Sequence, residues 1–341
     1  MNLPGTKEFQ KIYAALQDDV SREIYKRRLL YSLLSDRREL TEMIRLTIPE
    51  TARLHAPKIC FYGGGTGFEW LLSENVNLIL EERPEEQIVI DNYRTGSVRG
   101  HRIVTFEEFQ NLPDCREYLI LITVEKKRAL EEIEAQLDAH GFRYVSVYRE
   151  VYYKGVEYFD LPYMNLDSAF YVDAGALDGG TAKYFLNHFQ GGFAYVFEPS
   201  PEQFEITREA LRGYSNAECF PFGLYDKNGT VNFTPTTDDD PGRAKIMEDG
   251  DISIEVRRLD DILGNRPVTF IKMDIEGSEL AALRGAERII RQQRPKLAIC
   301  VYHKPEDMWE IPNFILNCHP DYKLYLRHYT MIEYETVLYA I

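Results

Sequence analysis

The sequence predicts an α/β protein with two Rossmann-like domains in tandem, preceded by a helical segment and ending in an antiparallel hairpin. Three observations predict this class. Short apolar strands alternate with helical stretches over residues 56–150 and again over 169–341, a pattern typical of parallel sheets with helical crossovers. In both regions the first strand runs into a glycine-rich loop. Apolar periodicity and capping residues predict helices before residue 56.

These patterns divide the chain into four parts. Residues 1–55 form a helical segment, 56–150 a small Rossmann-like domain, 151–168 an aromatic and irregular connector, and 169–341 a second, larger domain. The helical segment cannot form a core alone, because helices in proteins gain most of their stability from packing their apolar face. We therefore expect it to pack on one of the domains or on a second subunit of a homodimer.

Composition and charge narrow the function classes. The 341 residues carry a formal net charge of −15, whereas a general nucleic-acid binder needs a basic face for phosphates. No apolar stretch approaches the roughly 20 residues of a membrane span, and the N-terminus shows no signal-peptide pattern. The five cysteines form no C-x-x-C pair, as is typical of buried thiols in a reducing compartment. We expect a cytoplasmic protein without nucleic-acid or membrane partners.

The loop after the first strand of the second domain carries the strongest chemical signal. Its strand, 169–173, ends in Asp173, and two glycines follow. Open α/β sheets bind ligands at the carboxyl ends of their strands, and glycines let the backbone approach a ligand closely. The next strand, 193–197, runs into Glu198, 25 positions after Asp173. A carboxylate there is placed to accept hydrogen bonds from a ribose, which indicates a nucleotide-like ligand.

Two carboxylates in this loop favour a cationic ligand. Asp173 and Asp178 crowd the start of the following helix, which is where a pyrophosphate would bind as an anion. A sulfonium and an amino group suit two acids better, so the residues favour S-adenosylmethionine over NAD. Two alternatives stay open at this point: a dinucleotide, and a tight strand–helix turn without a ligand.

An ordered series of motifs in this half of the chain resembles the FkbM-type methyltransferases, a branch of the class I S-adenosylmethionine-dependent enzymes. The motifs lie in family order over about residues 165–341, at Val172–Ala176, Phe197–Pro201, Gly223–Gly229, Arg258–Ile262, Phe270–Glu279, Arg294–Leu297 and Tyr302–Lys304. Leu177 departs from the broader class I pattern, in which many members have a glycine, but the FkbM-type branch tolerates this. The resemblance implies a class I methyltransferase fold and S-adenosylmethionine as cofactor.

The resemblance also implies roles for individual residues. Asp173, Gly175 and Gly179 would hold the methionine end of the cofactor, and Ala176 and Asp178 of the same loop are further expected cofactor-binding residues. Glu198 would bind the ribose, and Asp274 would lie beside the methyl group. Asp226 would lie near the adenine, although a turn residue in an Asp-Lys-Asn-Gly hairpin is an equal alternative.

Methyl transfer to a hydroxyl requires a base. Asp274 and His303 both follow apolar strands and suit this role. We expect His303 to be the base, with Asp274 orienting it or the substrate; the alternative is a hydrogen-bonded histidine at a strand end. Asp274, Glu276, Glu279 and His303 also offer metal ligands. However, an acid such as Glu276 is favourable at a helix start without a metal, so a divalent metal is not favoured.

The first domain has its own glycine-rich loop. The candidate nucleotide-binding residues are Gly63, Gly65, Gly67 and Asp91. The dinucleotide fingerprint is incomplete, because Phe68 or Trp70 stands where the third glycine would fall. The domain resembles Rossmann-like domains that precede sugar-modifying transferases, which bind nucleotides or nucleotide-sugars. A degenerate structural or dimerising domain is the alternative.

Taken together, these features predict an S-adenosylmethionine-dependent O-methyltransferase. Its expected partner is a small-molecule hydroxyl acceptor: a sugar, a nucleotide-sugar or another small metabolite. The hydroxyl follows from the family resemblance, and the sugar from the first domain. Two other functions are weighed against it. One is an NAD- or nucleotide-sugar-dependent oxidoreductase that uses the first domain. The other is a non-catalytic assembly protein.

Overall fold

The computed structural model describes residues 5–46, 58–65, 67–68, 86–124, 126–147, 157–159, 161, 163–234, 245–246, 250–330 and 333–341. The chain forms two compact units. The larger unit comprises residues 1–35, 158–328 and 334–341, and the smaller unit comprises residues 36–157 and 329–333. The fold is mixed α/β with parallel sheets, which confirms the predicted class at this level.

The N-terminal helices belong to the larger unit. They are α1 (Thr6–Ala15) and α2 (Asp19–Leu34). Asp18 caps α2, because its Oδ1 accepts a 2.7 Å hydrogen bond from the backbone N–H of Ser21. Its Oδ2 accepts a 2.7 Å hydrogen bond from Arg327, and the N–H of Leu326 donates to the Ser21 hydroxyl at 2.9 Å. These contacts anchor the helices to this unit.

The smaller unit is built on a single described sheet. Its strands are β1 (Lys58–Tyr62), β2 (Glu86–Ile90), β3 (Ser97–Val98), β4 (His101–Val104), β5 (Tyr118–Ile122) and β6 (Tyr144–Ser146). They lie in the order β3-β4-β2-β1-β5-β6, and all pairs except β3–β4 are parallel. Its described helices are α3 (Arg37–Arg45), α4 (Phe106–Gln110) and α5 (Lys127–Ala139). The chain leaves β1 for β2 on one side and returns to β5 on the other.

Among its described residues, the larger unit has two sheets. Its strands are β7 (Phe170–Ala174), β8 (Phe193–Phe197), β9 (Ala217–Phe220), β10 (Gly223–Leu224), β11 (Gly229–Thr234), β12 (Lys245–Ile246), β13 (Ile252–Arg257), β14 (Phe270–Met273), β15 (Lys296–Cys300), β16 (Leu324–His328) and β17 (Thr336–Ala340). Its further helices are α6 (Gly180–His188), α7 (Pro201–Ala210), α8 (Leu259–Leu263), α9 (Glu279–Gly285), α10 (Glu287–Gln293) and α11 (Asp307–Cys318). The main sheet has the order β16-β17-β15-β14-β7-β8-β9, and the small sheet has the order β10-β13-β11-β12.

The main sheet of the larger unit reverses its strand order next to β7. The chain passes from β7 to β8 and β9 on one side, then returns to β14 and β15 on the other side. All of these pairs are parallel, while β17 is antiparallel to both β15 and β16. The carboxyl ends of β7 and β14 therefore flank the switch point, which is where open α/β sheets bind ligands.

Aromatic packing holds the centre of this sheet. Tyr171 stacks on Phe270 of the neighbouring strand with ring centroids 5.1 Å apart, and contacts Phe185 of α6 at 4.7 Å. All three side chains are fully buried. This packing fixes the register of β7 and β14, and so sets where their terminal loops meet. Across the described part of the chain, no helix has the length and apolarity needed to cross a membrane.

Candidate active site

The loop after β7 begins with a glycine that tolerates no side chain. Gly175 has a φ of +79°, and a Cβ built on it would lie 1.9 Å from the backbone oxygen of Asp274. Its N–H donates to the Phe197 carbonyl at 3.1 Å, as does the N–H of Ala176 at 3.2 Å. The loops that follow β7 and β14 are therefore in direct backbone contact. Gly175 is required for that approach.

Glu198 holds the same loop from the neighbouring strand. Its Oε2 accepts a 2.9 Å hydrogen bond from the N–H of Leu177, and its Oε1 accepts one of 2.9 Å from the N–H of Ser200. Burial raises the pKa of Glu198, and the two N–H donors only partly offset this. Each carboxylate oxygen keeps a second lone pair for a further donor.

The other predicted loop residues have distinct surroundings. Asp178 is exposed, and its Oδ1 accepts a 2.8 Å hydrogen bond from the N–H of Gly180 at the start of α6. Gly179 has a φ of +77° and packs against Thr207, whose hydroxyl donates to the Leu177 carbonyl at 2.9 Å. Ala176 is buried. Of these residues, Asp178 carries the exposed charge beside the loop.

Asp173 lies beneath the loop. It has no exposed surface, and its Oδ1 is 3.2 Å from Nζ of Lys272 on β14. Lys272 also donates to the Gly175 carbonyl at 2.7 Å. Burial raises the pKa of Asp173 more than the Lys272 charge lowers it. Direct contact between Asp173 and a cofactor stays a prediction, and the burial favours an indirect role in which this pair supports the loop.

Asp226 is exposed in the bend between β10 and β11. The bend is fixed by Asn228, whose amide donates to Asp261 at 2.8 Å and whose Oδ1 accepts from the N–H of Arg258 at 2.9 Å. This arrangement agrees with the turn alternative, and a contact between Asp226 and adenine stays a prediction.

Asp274 is the first member of a cluster at the ends of β14 and β15. Its Oδ2 accepts a 3.0 Å hydrogen bond from the Tyr158 hydroxyl, and its Oδ1 accepts one of 3.2 Å from the Tyr302 hydroxyl. Burial by itself would raise the pKa of Asp274, but the charges of Lys272 and His303 and the two tyrosines hold it below its usual value. Asp274 is thus a fixed carboxylate.

His303 lies among three carboxylates. Its Nδ1 is 3.0 Å from Glu279 Oε1, and its Nε2 is 3.5 Å from Asp274 Oδ1 and 3.4 Å from Glu276 Oε2. Burial would lower the pKa of His303, but the carboxylates, Glu279 foremost, raise it to about 9. An imidazolium has no lone pair for a proton, so this state opposes a base role. The expectation that His303 is the general base stays a prediction.

Glu276 faces His303 from the loop before α9. Its φ is +53°, a left-handed conformation that is uncommon outside glycine. Burial raises the pKa of Glu276 to about 7, with His303 acting in the opposite direction. A half-buried acid in a left-handed turn is typical of a functional site rather than of a simple helix start.

Sequence reasoning found four members of this cluster and missed two. Asp274, Glu276, Glu279 and His303 come together as their motifs suggest. The missed residues are Tyr158 and Tyr302, which hold Asp274. Tyr302 directly precedes His303 in the Tyr302–Lys304 motif, so that motif could have indicated it. Tyr158 falls in the predicted connector, and no pattern in the sequence relates it to a strand 116 positions later.

The glycine-rich loop of the smaller unit is held by Asp91. Gly63 has a φ of +107°, and its N–H donates to the Ile90 carbonyl at 2.9 Å. Asp91 Oδ2 accepts a 3.0 Å hydrogen bond from the N–H of Gly64. A Cβ on Gly65 would meet open space, and Gly67 is buried. A nucleotide site here stays a prediction; Trp70 lies outside the described residues.

Comparisons with known proteins find similarity in the second half of the chain. Residues 173–329 match the family described as the methyltransferase FkbM domain. The 2-O-methyltransferase NoeI of Sinorhizobium fredii (strain NBRC 101917 / NGR234) is 28% identical over 36% of this chain and 59% of its own length. Methyltransferase 1 of Beauveria bassiana (strain ARSEF 2860) is 27% identical over the same shares. The chain thus spans 59% of the length of these curated relatives.

Among solved structures, the crystal structure of methyltransferase FkbM from Methylobacillus flagellatus KT matches with a TM-score of 0.49 and 23% identity. The match covers 92% of this chain and 99% of that protein.

The matched region is a domain of the S-adenosylmethionine-dependent methyltransferases. Within that class, residues 173–329 are similar to the FkbM methyltransferase domain. The cofactor of such enzymes is S-adenosylmethionine, in agreement with the prediction. The alternative oxidoreductase is not favoured.

Proposed function

We propose that the protein is an S-adenosylmethionine-dependent O-methyltransferase. Its acceptor is a hydroxyl of a sugar, a nucleotide-sugar or another small metabolite. One observation carries the proposal: the loop after β7 contacts the backbone of Asp274, the first member of the acidic cluster, since a Cβ on Gly175 would lie 1.9 Å from the backbone oxygen of Asp274. A cofactor held by the loop and a hydroxyl held by the cluster would therefore share one crevice.

The loop fits the cofactor in its donor chemistry. Each Glu198 oxygen accepts one backbone N–H and has a lone pair left, which suits the two hydroxyls of a ribose. The exposed carboxylate of Asp178 suits a cationic amino group. Asp173 and Lys272 support the loop from below. When bound, S-adenosylmethionine supplies a methyl group activated by a sulfonium.

The cluster provides the groups that act on the acceptor. Asp274 and Glu276 orient the hydroxyl through their carboxylates, and the hydroxyl loses its proton to the cluster. We retain His303, in its neutral form, as the proposed acceptor of that proton, with Asp274 orienting it; because the pKa of His303 is about 9, this role requires His303 to lose its own proton before the transfer. The acceptor oxygen then forms its bond to the methyl carbon as the bond between carbon and sulfur breaks. Burial of His303 keeps bulk water from competing for the methyl group.

Two further observations support the choice of acceptor. The name of NoeI, a 2-O-methyltransferase, indicates a hydroxyl in that relative. The loop of the smaller unit is held by an acid at the end of the next strand, an arrangement that suits a nucleotide-linked substrate. We therefore propose residues 169–341 as the methyltransferase domain and residues 56–150 as a domain that recognises the acceptor.

An acceptor screen tests this function. The protein is incubated with S-adenosylmethionine and a panel of free sugars, nucleotide-sugars, catechols, amines and carboxylic acids. We expect release of S-adenosylhomocysteine and a product one methylene heavier only with hydroxyl acceptors, and best with sugar-linked ones. Transfer only to amines or carboxylates would contradict an O-methyltransferase. Glu198→Gln serves as the variant with impaired cofactor binding.

A further inference from the structure

The imidazole of His303 lies close to the carboxylates of Asp274 and Glu276 but is not hydrogen-bonded to either of them. The side chain is 8% exposed, and Nε2 points between Asp274 and Glu276 at 3.5 and 3.4 Å. These separations exceed the roughly 2.7–3.2 Å of an N–H···O hydrogen bond, and Nε2 makes no hydrogen bond within the described part of the chain. Buried polar atoms are nearly always bonded, so an exception needs an explanation.

The separations fit three ligands of one ion better than a hydrogen-bonded network. Protein nitrogen and oxygen atoms bind divalent cations at about 2.1 Å. Two ligands of the same ion then lie about 3.0 Å apart in octahedral geometry and about 3.4 Å apart in tetrahedral geometry. A nitrogen of His303 and one carboxylate oxygen each of Asp274 and Glu276 lie within 4.8 Å of one another. Only small side-chain movements would bring them onto one cation.

The surrounding residues orient these three side chains as ligands. Glu279 has no exposed surface, and its Oε1 lies 3.0 Å from His303 Nδ1, within hydrogen-bond distance although the angles of a hydrogen bond are not met. The same oxygen accepts a 2.8 Å hydrogen bond from the N–H of Ile275, which fixes the carboxylate. A carboxylate on the far ring nitrogen is the usual support of a metal-binding histidine, because it directs the lone pair of Nε2 toward the metal. The hydroxyls of Tyr158 and Tyr302 hold Asp274 in the same way.

We propose that Asp274, Glu276 and His303 bind one divalent cation, and that Mn²⁺ fits this set best. Carboxylates suit Mg²⁺ and Mn²⁺, whereas imidazole suits the transition metals, so a site with both favours Mn²⁺. The sequence did not favour a metal, since Glu276 had a sufficient explanation at a helix start; the position of His303 Nε2 changes that assessment.

The site deepens the proposed function and rests on it. Three protein ligands leave positions for water and for the acceptor hydroxyl. A cation at this position would orient that hydroxyl and favour its ionised form, as metals do for bound water. His303 then acts as a ligand in place of a base, and the proton of the hydroxyl leaves to solvent or to a neighbouring carboxylate.

Manganese binding to the full chain tests the proposal. The protein is stripped with a chelator and titrated with Mn²⁺, and free Mn²⁺ is measured by electron paramagnetic resonance. We expect one bound ion per chain. The dissociation constant for Mn²⁺ should be at least about tenfold higher for His303→Ala and for Glu276→Gln. Glu279→Gln, which changes no proposed ligand but alters the group that supports His303 and accepts the Ile275 N–H, should weaken binding by about tenfold. Asp251→Asn, which removes an exposed charge elsewhere in the unit, should leave it unchanged.

Two results would overturn the proposal: no bound Mn²⁺ in the wild-type protein, or wild-type affinity in both ligand variants. Thermal melting of each variant shows whether it is folded, and Glu276→Gln keeps the test valid if His303→Ala does not fold. Titration of the stripped protein with S-adenosylmethionine separates the two hypotheses. Cofactor binding without Mn²⁺ binding removes the metal site and leaves the proposed function standing, whereas absence of cofactor binding removes the function itself.

Discussion

The two glycine-rich loops of the molecule are held in the same way and differ in what faces them. In each, a carboxylate after the next strand accepts a hydrogen bond from a loop N–H: Asp91 from Gly64 at 3.0 Å, and Glu198 from Leu177 at 2.9 Å. The second oxygen of Asp91 accepts two further N–H groups of its own turn, at 2.9 and 3.1 Å, while that of Glu198 accepts one. Glu198 therefore keeps more capacity for a ligand.

The two units differ more in the residues that pack against the first loop glycine from across the switch point of each sheet. In the smaller unit, Gly63 packs against the side chains of Val124 and Thr123, which follow β5. In the larger unit, Gly175 packs against Asp274, which leads into the cluster with His303. The two glycine-rich loops therefore share the way they are held, and differ in the residues that lie across the switch point.

The largest expected effect comes from the cluster. His303→Ala and Asp274→Asn should each lower turnover by about 10²-fold or more, because they remove groups that orient or deprotonate the acceptor. The affinity for S-adenosylmethionine should stay within about threefold of wild type, because neither side chain belongs to the loop after β7. Turnover and calorimetric affinity are measured side by side.

An exposed histidine provides the matched control. His188 stacks on Tyr184 at the surface of α6, with ring centroids 3.8 Å apart. His188→Ala should keep full turnover. Wild-type turnover in both cluster variants would remove this group of residues from the mechanism.

The second-largest predicted effect is a difference in stability between alanine variants of the two loop glycines, Gly175 and Gly65. Gly175→Ala should reduce the free energy of unfolding by about 3 kcal/mol or more, because a Cβ meets the Asp274 carbonyl and φ is positive. Gly65→Ala in the smaller unit should change it by less than about 0.5 kcal/mol, since no atom of the described residues would lie within 4 Å of the added Cβ. Chemical denaturation measures both. Equal stability of the two variants would show that the loops after β7 and β14 do not meet as described.

Parts of this arrangement could be predicted from the sequence, because they depend on local pattern. The strand expected at 193–197 is Phe193–Phe197, and that expected at 169–173 is Phe170–Ala174. Apolar runs, terminal acids and glycines sufficed to identify them. The partners of charged groups depend on tertiary packing instead. Nothing near Asp173 identifies Lys272 as its partner.

Long-range anchoring illustrates the same limit. Asp18 belongs to a residue type that local pattern associates with helix starts, yet its ion pair with Arg327 spans 309 positions. The protonation of His303 also could not be predicted, because it depends on three carboxylates brought together only by the fold.

The smallest predicted effect is the loss of stability when the ion pair of Asp18 with Arg327 is removed. Burial opposes ionisation of Asp18, but Arg327 and Ser21 lower its pKa to about 2. The folded value lies below the unfolded one of about 3.9, so the carboxylate contributes stability that is full above about pH 4 and lost as pH falls through 2. Asp18→Asn should cost about 1 kcal/mol at pH 7, after allowance for solvent screening.

The pH dependence distinguishes this ion pair from a general loss of capping. The cost of Asp18→Asn, measured by urea denaturation, should shrink as the pH approaches 2. Asp19→Asn, at a fully exposed neighbour paired with Arg22, should cost almost nothing at any pH. A cost for Asp18→Asn that does not change with pH would contradict the ion-pair explanation.

The most direct measurement is a calorimetric titration of the wild-type protein, Glu198→Gln and Asp91→Asn with S-adenosylmethionine and NAD. We expect one site for S-adenosylmethionine, weakened about tenfold or more by Glu198→Gln because a charge-assisted acceptor is lost. Asp91→Asn should leave that affinity unchanged. Binding of NAD in place of S-adenosylmethionine, or loss of S-adenosylmethionine binding in Asp91→Asn alone, would contradict the assignment of the cofactor to the loop after β7.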